Sequence, residues 1–417
     1  MILKNVGLLA TPTGKTAKKG AAQGQIELIE NAAVCIEDGI IVYAGPGDKL
    51  PGSKSSSGDV IDCGGRLVTP GLVDAHTHLI FGGWRQKEMA RKLAGESYLD
   101  ILKSGGGILE TVRQTRAASE ESLFEKGAKL LDTMLAHGTT TVECKSGYGL
   151  NVEDELKQLR VAKKLGETGP VEIVPTFMGA HAVPAEYKEN REAFINLVCN
   201  EMMPAVKAEG LAEFCDIFCE TAVFTPQESL KILAKAVEYG MTPKAHADEI
   251  DYVGGAEMAA AAGCISAEHL IMAGDEGIRA LAEKNITACL LPATSFCLDK
   301  GYARARDMIA AGVAVAVCTD FNPGSSPNLN LQFPMYLACL KYKLTPAEAL
   351  TAVTLNGAAA IRRSEKIGSV EPGKQADLVI WDAPDLDYIF YRYGCNLVHS
   401  VIKKGKVVCM AAGSLAL

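Results

Sequence analysis

The sequence predicts an α/β protein that combines a (β/α)8 barrel of the TIM type with a small β-sandwich-like domain formed by the N- and C-terminal segments. Two observations lead to this prediction. Between about residues 66 and 360, short apolar stretches of strand type alternate eight times with amphipathic helical stretches, which is the pattern of a (β/α)8 barrel. Both ends of the chain carry paired β-type stretches with turn residues between them instead.

The terminal segments each contain a hairpin signal. "AAVCIEDGIIVYAG" consists of two β-type stretches around Asp38-Gly39, and "HSVIKKGKVVCMA" turns at Lys404-Gly405. Neither end is large enough to bury a core alone, so we expect the two ends to form one domain together. The predicted division is therefore 1–65 for the first part of the small domain, 66–360 for the barrel and 361–417 for the second part.

The middle of the chain supplies eight candidate barrel strands. In chain order they are "LVDAHTH", "TTTVECKS", "EIVPTFMGAH", "FCDIFCE", "TPKAHADE", "CISAEHL", "ITACLLPA" and "VAVAVCTD". A doubly wound open sheet is the alternative, and it would predict a glycine-rich phosphate turn after the first strand. Histidines stand at that position instead, which favours the barrel.

Composition restricts the classes of function. The net charge of the 417-residue chain is −8, whereas a nucleic-acid-binding surface needs a concentration of basic residues. The chain has no uncharged apolar stretch of about 18 residues, and its first twenty residues do not have the pattern of a signal peptide. We therefore expect a cytoplasmic protein with reduced cysteines that binds neither nucleic acid nor membranes. An anionic small molecule remains a suitable partner, because one local arginine can outweigh a distant net charge.

Histidines cluster at the predicted strand ends, where a barrel of this type places its chemistry. His76 and His78 alternate along the first strand and so face the same side, and two imidazoles on one side suit Zn²⁺ or Fe²⁺. His246 ends the fifth strand and Asp320 follows the eighth. A pair of structural histidines and a helix-capping Asp320 are the alternatives. Together these four residues predict a metal site with room for water.

Longer motifs identify a family. "PGLVDAHTH", the later strand-end histidines and the final "TD" resemble the amidohydrolase superfamily of metal-dependent hydrolases. A closer likeness to one branch of that superfamily, in histidine degradation, extends over the barrel and into the small domain. The stretches that carry it are "THLIFGG", "GGGILETVRQTRAASEE", "GTTTVECKSGYGL", "ELKQLRVAKKL", "TFMGAHAVP", "HADEID", "GYARARDMI", "TDFNPGSSP" and "GKQADLVIWDAP".

The resemblance implies hydrolysis of the cyclic amide bond of 4-imidazolone-5-propanoate to N-formimidoyl-L-glutamate. It also implies one Zn²⁺ or one Fe²⁺ or Fe³⁺ ion per subunit, held by His76, His78, His246 and Asp320, and it suggests a homodimer. Many members of the superfamily hold two metals bridged by a carboxylated lysine at the end of the fourth strand. Because that strand ends here with Glu220, a single metal is favoured.

Catalytic roles follow from this chemistry. Asp320 can take a proton from water and pass it to the leaving nitrogen, and His269, at the end of the sixth strand, can stabilise the oxyanion. The resemblance implies that Glu249 contacts the substrate ring and moves a proton of that ring. Lys145 lies on the second strand, so it receives no metal role, and it is expected to pair with Glu143 inside the barrel.

Substrate binding is assigned to a second set of residues. Arg85 can form a bidentate ion pair with the propanoate, and the resemblance adds Tyr148, His181 and Glu249. The turn formed by Asn322, Gly324 and Ser325 offers backbone N–H groups. Trp84 stands where the resembling family has a smaller polar residue.

Two other functions remain open at this level. One is a cyclic-amidine deaminase or another cyclic-amide hydrolase of the same superfamily, for which a carboxylate clamp at Arg85 would be unnecessary. The other is a non-catalytic barrel, which should have lost metal ligands. All four predicted ligands are present in this chain, which disfavours the second alternative.

Overall fold

Two eight-stranded sheets organise the computed structural model, which describes residues 1–51, 59–96 and 105–410. One sheet contains strands from both ends of the chain, and the other forms the barrel. The predicted combination of a (β/α)8 barrel and a separate β domain is therefore confirmed. The boundaries at 65/66 and 360/361 stay a prediction. In the described residues, no helix combines the length and the apolar character that a membrane span requires.

Within the described residues the strands are β1 (Ile2–Thr11), β2 (Glu27–Glu37), β3 (Ile40–Pro46), β4 (Val60–Asp62), β5 (Leu67–Pro70), β6 (Leu72–Asp74), β7 (Thr139–Lys145), β8 (Glu172–Ala180), β9 (Phe214–Cys219), β10 (Thr242–Ala247), β11 (Ser266–His269), β12 (Thr287–Leu290), β13 (Val315–Val317), β14 (Leu378–Trp381), β15 (Val398–Lys403) and β16 (Lys406–Met410).

The α-helices of the described residues are α1 (Glu88–Leu93), α2 (Ile108–Ala117), α3 (Glu120–Ala136), α4 (Val152–Thr168), α5 (Arg191–Leu197), α6 (Met203–Glu209), α7 (Pro226–Glu238), α8 (Gly255–Ala262), α9 (Asp275–Lys284), α10 (Pro292–Leu298), α11 (Ala305–Ala310), α12 (Gln332–Tyr342), α13 (Pro346–Ala352), α14 (Leu355–Ala360) and α15 (Leu386–Tyr391). Short 3-10 turns cover Gly20–Gly24, Gly47–Lys49 and Ala185–Tyr187, and a π-helical turn covers Val198–Met202.

The terminal sheet has the strand order β16-β15-β14-β5-β1-β2-β3, with β4 paired to β1. Both predicted hairpins are present. Asp38 and Gly39 have φ of 49° and 79°, and Lys404 and Gly405 have φ of 50° and 73°, as a two-residue turn of the type I′ kind requires. This sheet buries its own apolar cluster, which includes Leu3, Val34 and Ile402 among other side chains.

The barrel runs from β6 to β13 with neighbouring strands parallel. Its two end strands meet just beyond their carboxyl ends, where Thr77 and Phe321 form a parallel bridge. There His78 N donates to Phe321 O at 2.8 Å, and Asp320 N donates to His76 O at 3.1 Å. Chain closure therefore brings the predicted ligands of the first and last strands side by side.

Candidate metal centre

Four buried side chains converge at the carboxyl ends of the barrel strands. His76 and His78 follow β6, His246 lies in β10 and Asp320 follows β13. The Nε2 atoms of His78 and His246 are 3.3 Å apart. Asp320 Oδ1 lies 3.4 Å from His76 Nε2 and 3.6 Å from His78 Nε2. The residues predicted as metal ligands from distant parts of the chain thus share one centre.

The donor atoms have the chemistry and spacing of a metal site. His76 Nδ1 contacts Glu268 at 2.7 Å and His246 Nδ1 contacts Asp216 at 3.1 Å, so each ring turns its Nε2 toward the centre. His76 Nε2 is buried and finds no hydrogen-bond partner among the described residues. Two nitrogen ligands bound to one tetrahedral zinc lie ~3.4 Å apart, close to the observed His78–His246 separation. These residues therefore fit a bound metal ion.

Burial keeps the imidazoles in the form that binds metal. The pKa of His76 is well below its ordinary value, mainly because burial penalises the charged ring, and also because Lys145 is positively charged. Burial and the neighbouring His181 lower the pKa of His78 in the same way. Neutral imidazole is the ligand form, so the environment favours metal over protons at these nitrogens.

A layer of buried ions supports the ligands from inside the barrel. It consists of Glu143, Lys145, Asp216, Lys244 and Glu268, all essentially inaccessible to solvent. Lys145 Nζ lies 2.7 Å from both Glu143 and Asp216, and Lys244 Nζ lies 3.3 Å from Glu268. The pairing of Lys145 with Glu143 is the one expected from the sequence. Asp216 and Glu268 each link one lysine to one histidine ligand, an arrangement that orients metal ligands in many proteins.

The charge of this layer is stabilised internally. Burial alone would raise the pKa of Asp216, but Lys145 and His246 outweigh it and hold the pKa well below its ordinary value. Asp216 is therefore a carboxylate that keeps His246 oriented. Neither Asp216 nor Glu268 was predicted from the sequence. Each is a charged residue inside an apolar strand, and a charge buried there requires a partner. That pattern could have indicated their role.

The predicted proton-transfer residues lie around the same centre. His269 is close enough to share an ion with His76 and Asp320, and its Nε2 lies 3.5 Å from Glu249 Oε2. Thr294 Oγ1 donates to Asp320 Oδ2 at 2.5 Å. Burial raises the pKa of Asp320 to about 6, and burial with the charges of Asp320 and Glu220 raises that of Glu249 to about 8.

Tyr148 and His181 lie beside the metal ligand His78. The His181 ring stacks on His78 with centroids 4.8 Å apart, and the Tyr148 ring is 5.8 Å from His78. His181 Nδ1 contacts Gly147 O at 3.1 Å, and burial lowers the pKa of its ring to about 3. Both predicted substrate-binding residues therefore border the centre, and His181 is neutral.

A buried glutamate fixes the loop that carries Tyr148. Glu155, on α4, accepts hydrogen bonds from the N–H groups of Gly147, Gly149 and Leu150 at 3.1, 2.8 and 2.9 Å. The Tyr148 N–H donates to Gln158 at 3.0 Å. Sequence reasoning did not identify Glu155, because nothing in its own helix indicates that its partners are loop N–H groups.

The turn after Asp320 is present, but its N–H groups are used within it. Asn322 Oδ1 accepts from Gly324 N at 2.8 Å and from Ser325 N at 2.7 Å, while Asn322 Nδ2 donates to Asp320 O at 2.8 Å. These contacts fix the turn as an Asx turn. Any substrate contact by these residues therefore stays a prediction.

Arg85 packs directly on this turn. A Cβ atom at Gly324 would overlap the Arg85 guanidinium group, so glycine is required for the close approach. Arg85 Nε is 3.4 Å from Glu88 Oε2, a contact that the sequence did not indicate. Trp84 packs edge-on against Phe81 with centroids 4.9 Å apart, and Lys126 lies over the Phe81 ring.

A (β/α)8 barrel with two histidines after the first strand, a histidine on the fifth and an aspartate after the eighth is the architecture of an amidohydrolase, with side chains that could hold a metal ion. The model of the amidohydrolase family matches residues 67–408. The chain belongs to this family.

Two curated relatives match nearly the whole chain and carry the same name. The chain is 53% identical to an imidazolonepropionase of Bacillus velezensis, over 99% of this chain and 98% of that one. It is 51% identical to an imidazolonepropionase of Fusobacterium nucleatum, over 98% of each chain. Among solved structures, Escherichia coli guanine deaminase has a TM-score of 0.74 at 16% identity, covering 99% of both chains. An adenosine deaminase from Xanthomonas campestris with bound zinc has a TM-score of 0.70 at 20% identity, covering 97% of this chain and 92% of that one. At these identities, the structural matches show the fold alone.

Proposed function

We propose that this chain hydrolyses 4-imidazolone-5-propanoate to N-formimidoyl-L-glutamate, the imidazolonepropionase reaction of histidine degradation. The observation that carries the proposal is the identity of about one half, over nearly the whole chain, to relatives named imidazolonepropionase. The four convergent ligand residues are consistent with it, as is Arg85, whose guanidinium group packs on the turn that follows Asp320.

His76, His78, His246 and Asp320 would hold one Zn²⁺ or one Fe²⁺ or Fe³⁺ ion per subunit. When bound, such an ion supplies Lewis acidity, which polarises a carbonyl group and acidifies water. A single ion is favoured because Glu220 binds backbone N–H groups and because Lys145 and Lys244 already neutralise the carboxylates below the centre.

Ring opening requires attack of water on the lactam carbonyl carbon and cleavage of the bond from that carbon to the ring nitrogen. Asp320 accepts the proton of the attacking water and returns it to the leaving nitrogen. His269 donates a hydrogen bond to the oxygen on which charge develops. Glu249, 3.5 Å from His269 Nε2, contacts the substrate ring and moves its proton.

The substrate is a small anion, and Arg85 binds its propanoate group through charge-assisted hydrogen bonds. Tyr148 and His181 contact the substrate from the side of His78. Arg85 packs against the turn formed by Asn322, Gly324 and Ser325. We also propose a homodimer and a cytoplasmic location. The cytoplasmic location is consistent with the thirteen cysteines, which all lie in the described residues and form no disulfide.

The test is turnover of freshly prepared 4-imidazolone-5-propanoate by the purified protein, with elemental analysis of bound metal on the same sample. We expect turnover that depends on a zinc or iron content near one per chain. Glu249→Gln should retain the metal and open the ring slowly. Guanine and adenosine serve as deaminase controls and should not react. Absence of turnover in the metal-loaded protein, or faster deamination of a control, would exclude the proposal.

A further inference from the structure

Directly after the fourth barrel strand lies a buried carboxylate whose hydrogen-bond partners are backbone N–H groups. Glu220 follows β9 directly and is 2% exposed. Among the described residues, the groups of side chains that could share an ion do not include it. Its carboxylate instead accepts backbone hydrogen bonds, from Thr221 N at 2.7 Å and from the loop that follows β10.

That loop directs three consecutive N–H groups at the Glu220 carboxylate. Oε2 accepts from Glu249 N at 3.0 Å and from Ile250 N at 2.8 Å, and Oε1 accepts from Asp251 N at 3.2 Å. Consecutive backbone N–H groups form a natural binding site for an anion. Hydrogen bonds to an ionised acceptor are about twice as strong as those between neutral groups. One side chain therefore holds three neighbouring peptide units of another loop.

Apolar packing contributes little at this point of the chain. Ile250 is 53% exposed and Tyr252 is 55% exposed, so neither side chain anchors the loop in the core. The far end of the loop is held separately, by Asp248, which accepts from Val253 N at 3.0 Å and Gly255 N at 2.9 Å. Residues 249–251 thus depend on Glu220 for their backbone position.

We propose that Glu220 is a positioning residue for ring opening: it fixes the backbone of residues 249–251 and thereby holds the Glu249 carboxylate beside His269. Glu220 touches neither the metal ligands nor the substrate in this role, and it acts through Glu249. The inference rests on the proposed function in one respect only, the participation of Glu249 in the reaction.

The chain offers a matched control. Glu155 is also buried and also accepts hydrogen bonds from three N–H groups of one loop, those of Gly147, Gly149 and Leu150 in the loop that carries Tyr148. Replacing either glutamate by glutamine removes the same charge from the same kind of anchor. Only the loop that is released should differ between the two variants.

The first measurement is amide hydrogen exchange of the metal-loaded, full-length protein, which needs no substrate. Glu220→Gln should accelerate exchange in peptides covering residues 249–251 by at least about tenfold and leave residues 147–150 unchanged. Glu155→Gln should show the reverse. Unchanged exchange at 249–251 in Glu220→Gln would overturn the anchoring role, whatever the reaction is.

A second variant applies should Glu220→Gln fail to fold. Glu220→Asp keeps the charge but retracts it, so it should give an intermediate acceleration. Wild-type exchange at 249–251 in Glu220→Asp would overturn the role equally.

The second measurement is kinetic. Glu220→Gln should lower kcat by about 10- to 100-fold, since small displacements of a reacting group have effects of this size, with KM within about threefold and metal content unchanged. Because Glu220 acts through Glu249, Glu220→Gln should have no further effect on kcat in the Glu249→Gln background, whereas Glu155→Gln should lower it in both backgrounds. A full additional loss from Glu220→Gln in that background would overturn the positioning role. Failure of the wild type to turn over the substrate would instead overturn the proposed function.

Discussion

The metal-binding half and the substrate-binding half of the site are held in place by different means. His76, His78, His246 and Asp320 lie on or directly after barrel strands, so the hydrogen-bond register of the sheet fixes them. The substrate-binding half lies on loops. There, buried side chains hold the backbone: Glu155 and Glu220 from outside the loops they bind, and Asn322 from within its own turn.

This difference separates two kinds of failure. Damage to the strand-borne half, or to the ion layer beneath it, should appear as lost metal affinity. Damage to the loop-borne half should leave the metal in place and appear in KM or kcat. Loops can also diverge between relatives without disturbing the metal, provided that their anchoring side chains change with them.

The largest effect is expected when a ligand is removed from the strand-borne half. His246→Ala should abolish stoichiometric metal binding and lower turnover by at least ~10³-fold, since the chemistry depends on the ion. Elemental analysis and turnover on the same sample measure both. His137→Ala, on a half-buried residue that caps the C-terminal end of α3, is the control and should change neither. Full activity of metal-free His246→Ala would refute the assignment.

The ion layer should act on the metal without touching it. Asp216→Asn removes the charge that orients His246 and leaves Lys145 with a single carboxylate. We expect metal affinity to fall by about 10- to 100-fold and stability to fall by about 3 kcal/mol. Competition with a chelator and denaturant unfolding measure the two effects.

Asp377→Asn provides the control for Asp216→Asn. Asp377 forms a buried ion pair with Lys403 at 2.7 Å, and Lys403 also contacts Thr141 of β7 and Glu172 of β8, so the pair links the terminal sheet to the barrel and includes none of the residues of the ion layer. Its loss should lower stability similarly while leaving metal affinity unchanged. If both variants lost metal to the same extent, the effect at Asp216 would reflect general destabilisation, and the ion layer would have no specific role.

The strand-borne half was predictable from the sequence because two simple periodicities decide it. Alternation along a strand places His76 and His78 on one side, and the carboxyl ends of parallel strands meet at one mouth of the barrel. The sequence could not show that Thr77 and Phe321 close the barrel at this mouth. That contact is a consequence of the complete fold.

The anchors of the loop-borne half were beyond sequence reasoning for a different reason. Glu155 and Glu220 bind backbone N–H groups, which every residue except proline carries. No pattern of residue types marks which of them a loop leaves unpaired. Asn322 illustrates the same limit: its turn was predicted, but not that its own side chain would engage the N–H groups of Gly324 and Ser325.

A smaller effect, confined to substrate affinity, is expected at Arg85. Arg85→Ala removes a charge-assisted contact to the propanoate, so KM should rise by about 10- to 100-fold with metal content unchanged and kcat within about threefold. Arg113→Ala is the matched control, because Arg113 is an exposed arginine paired with Glu110 on α2. An unchanged KM in Arg85→Ala would remove the carboxylate clamp from the proposal, and lost metal would mean that the two halves are not separable.

The smallest effect tests the point where the two halves meet. The Tyr148 ring lies 5.8 Å from His78 and 5.3 Å from His181, so it borders a metal ligand while belonging to a loop. Tyr148→Phe keeps the ring and removes the hydroxyl, and the loss of one neutral hydrogen bond should lower kcat/KM by about 2- to 10-fold. Metal affinity should not change, because the loop backbone is held by Glu155 and the His78 backbone by its hydrogen bond to Phe321 O. Tyr388→Phe, which removes a hydroxyl bonded to Arg392 on α15, should leave both quantities at their wild-type values. A fall in metal affinity in Tyr148→Phe, measured by chelator competition, would show that the substrate loop also orients His78 and that the division drawn here fails at this residue.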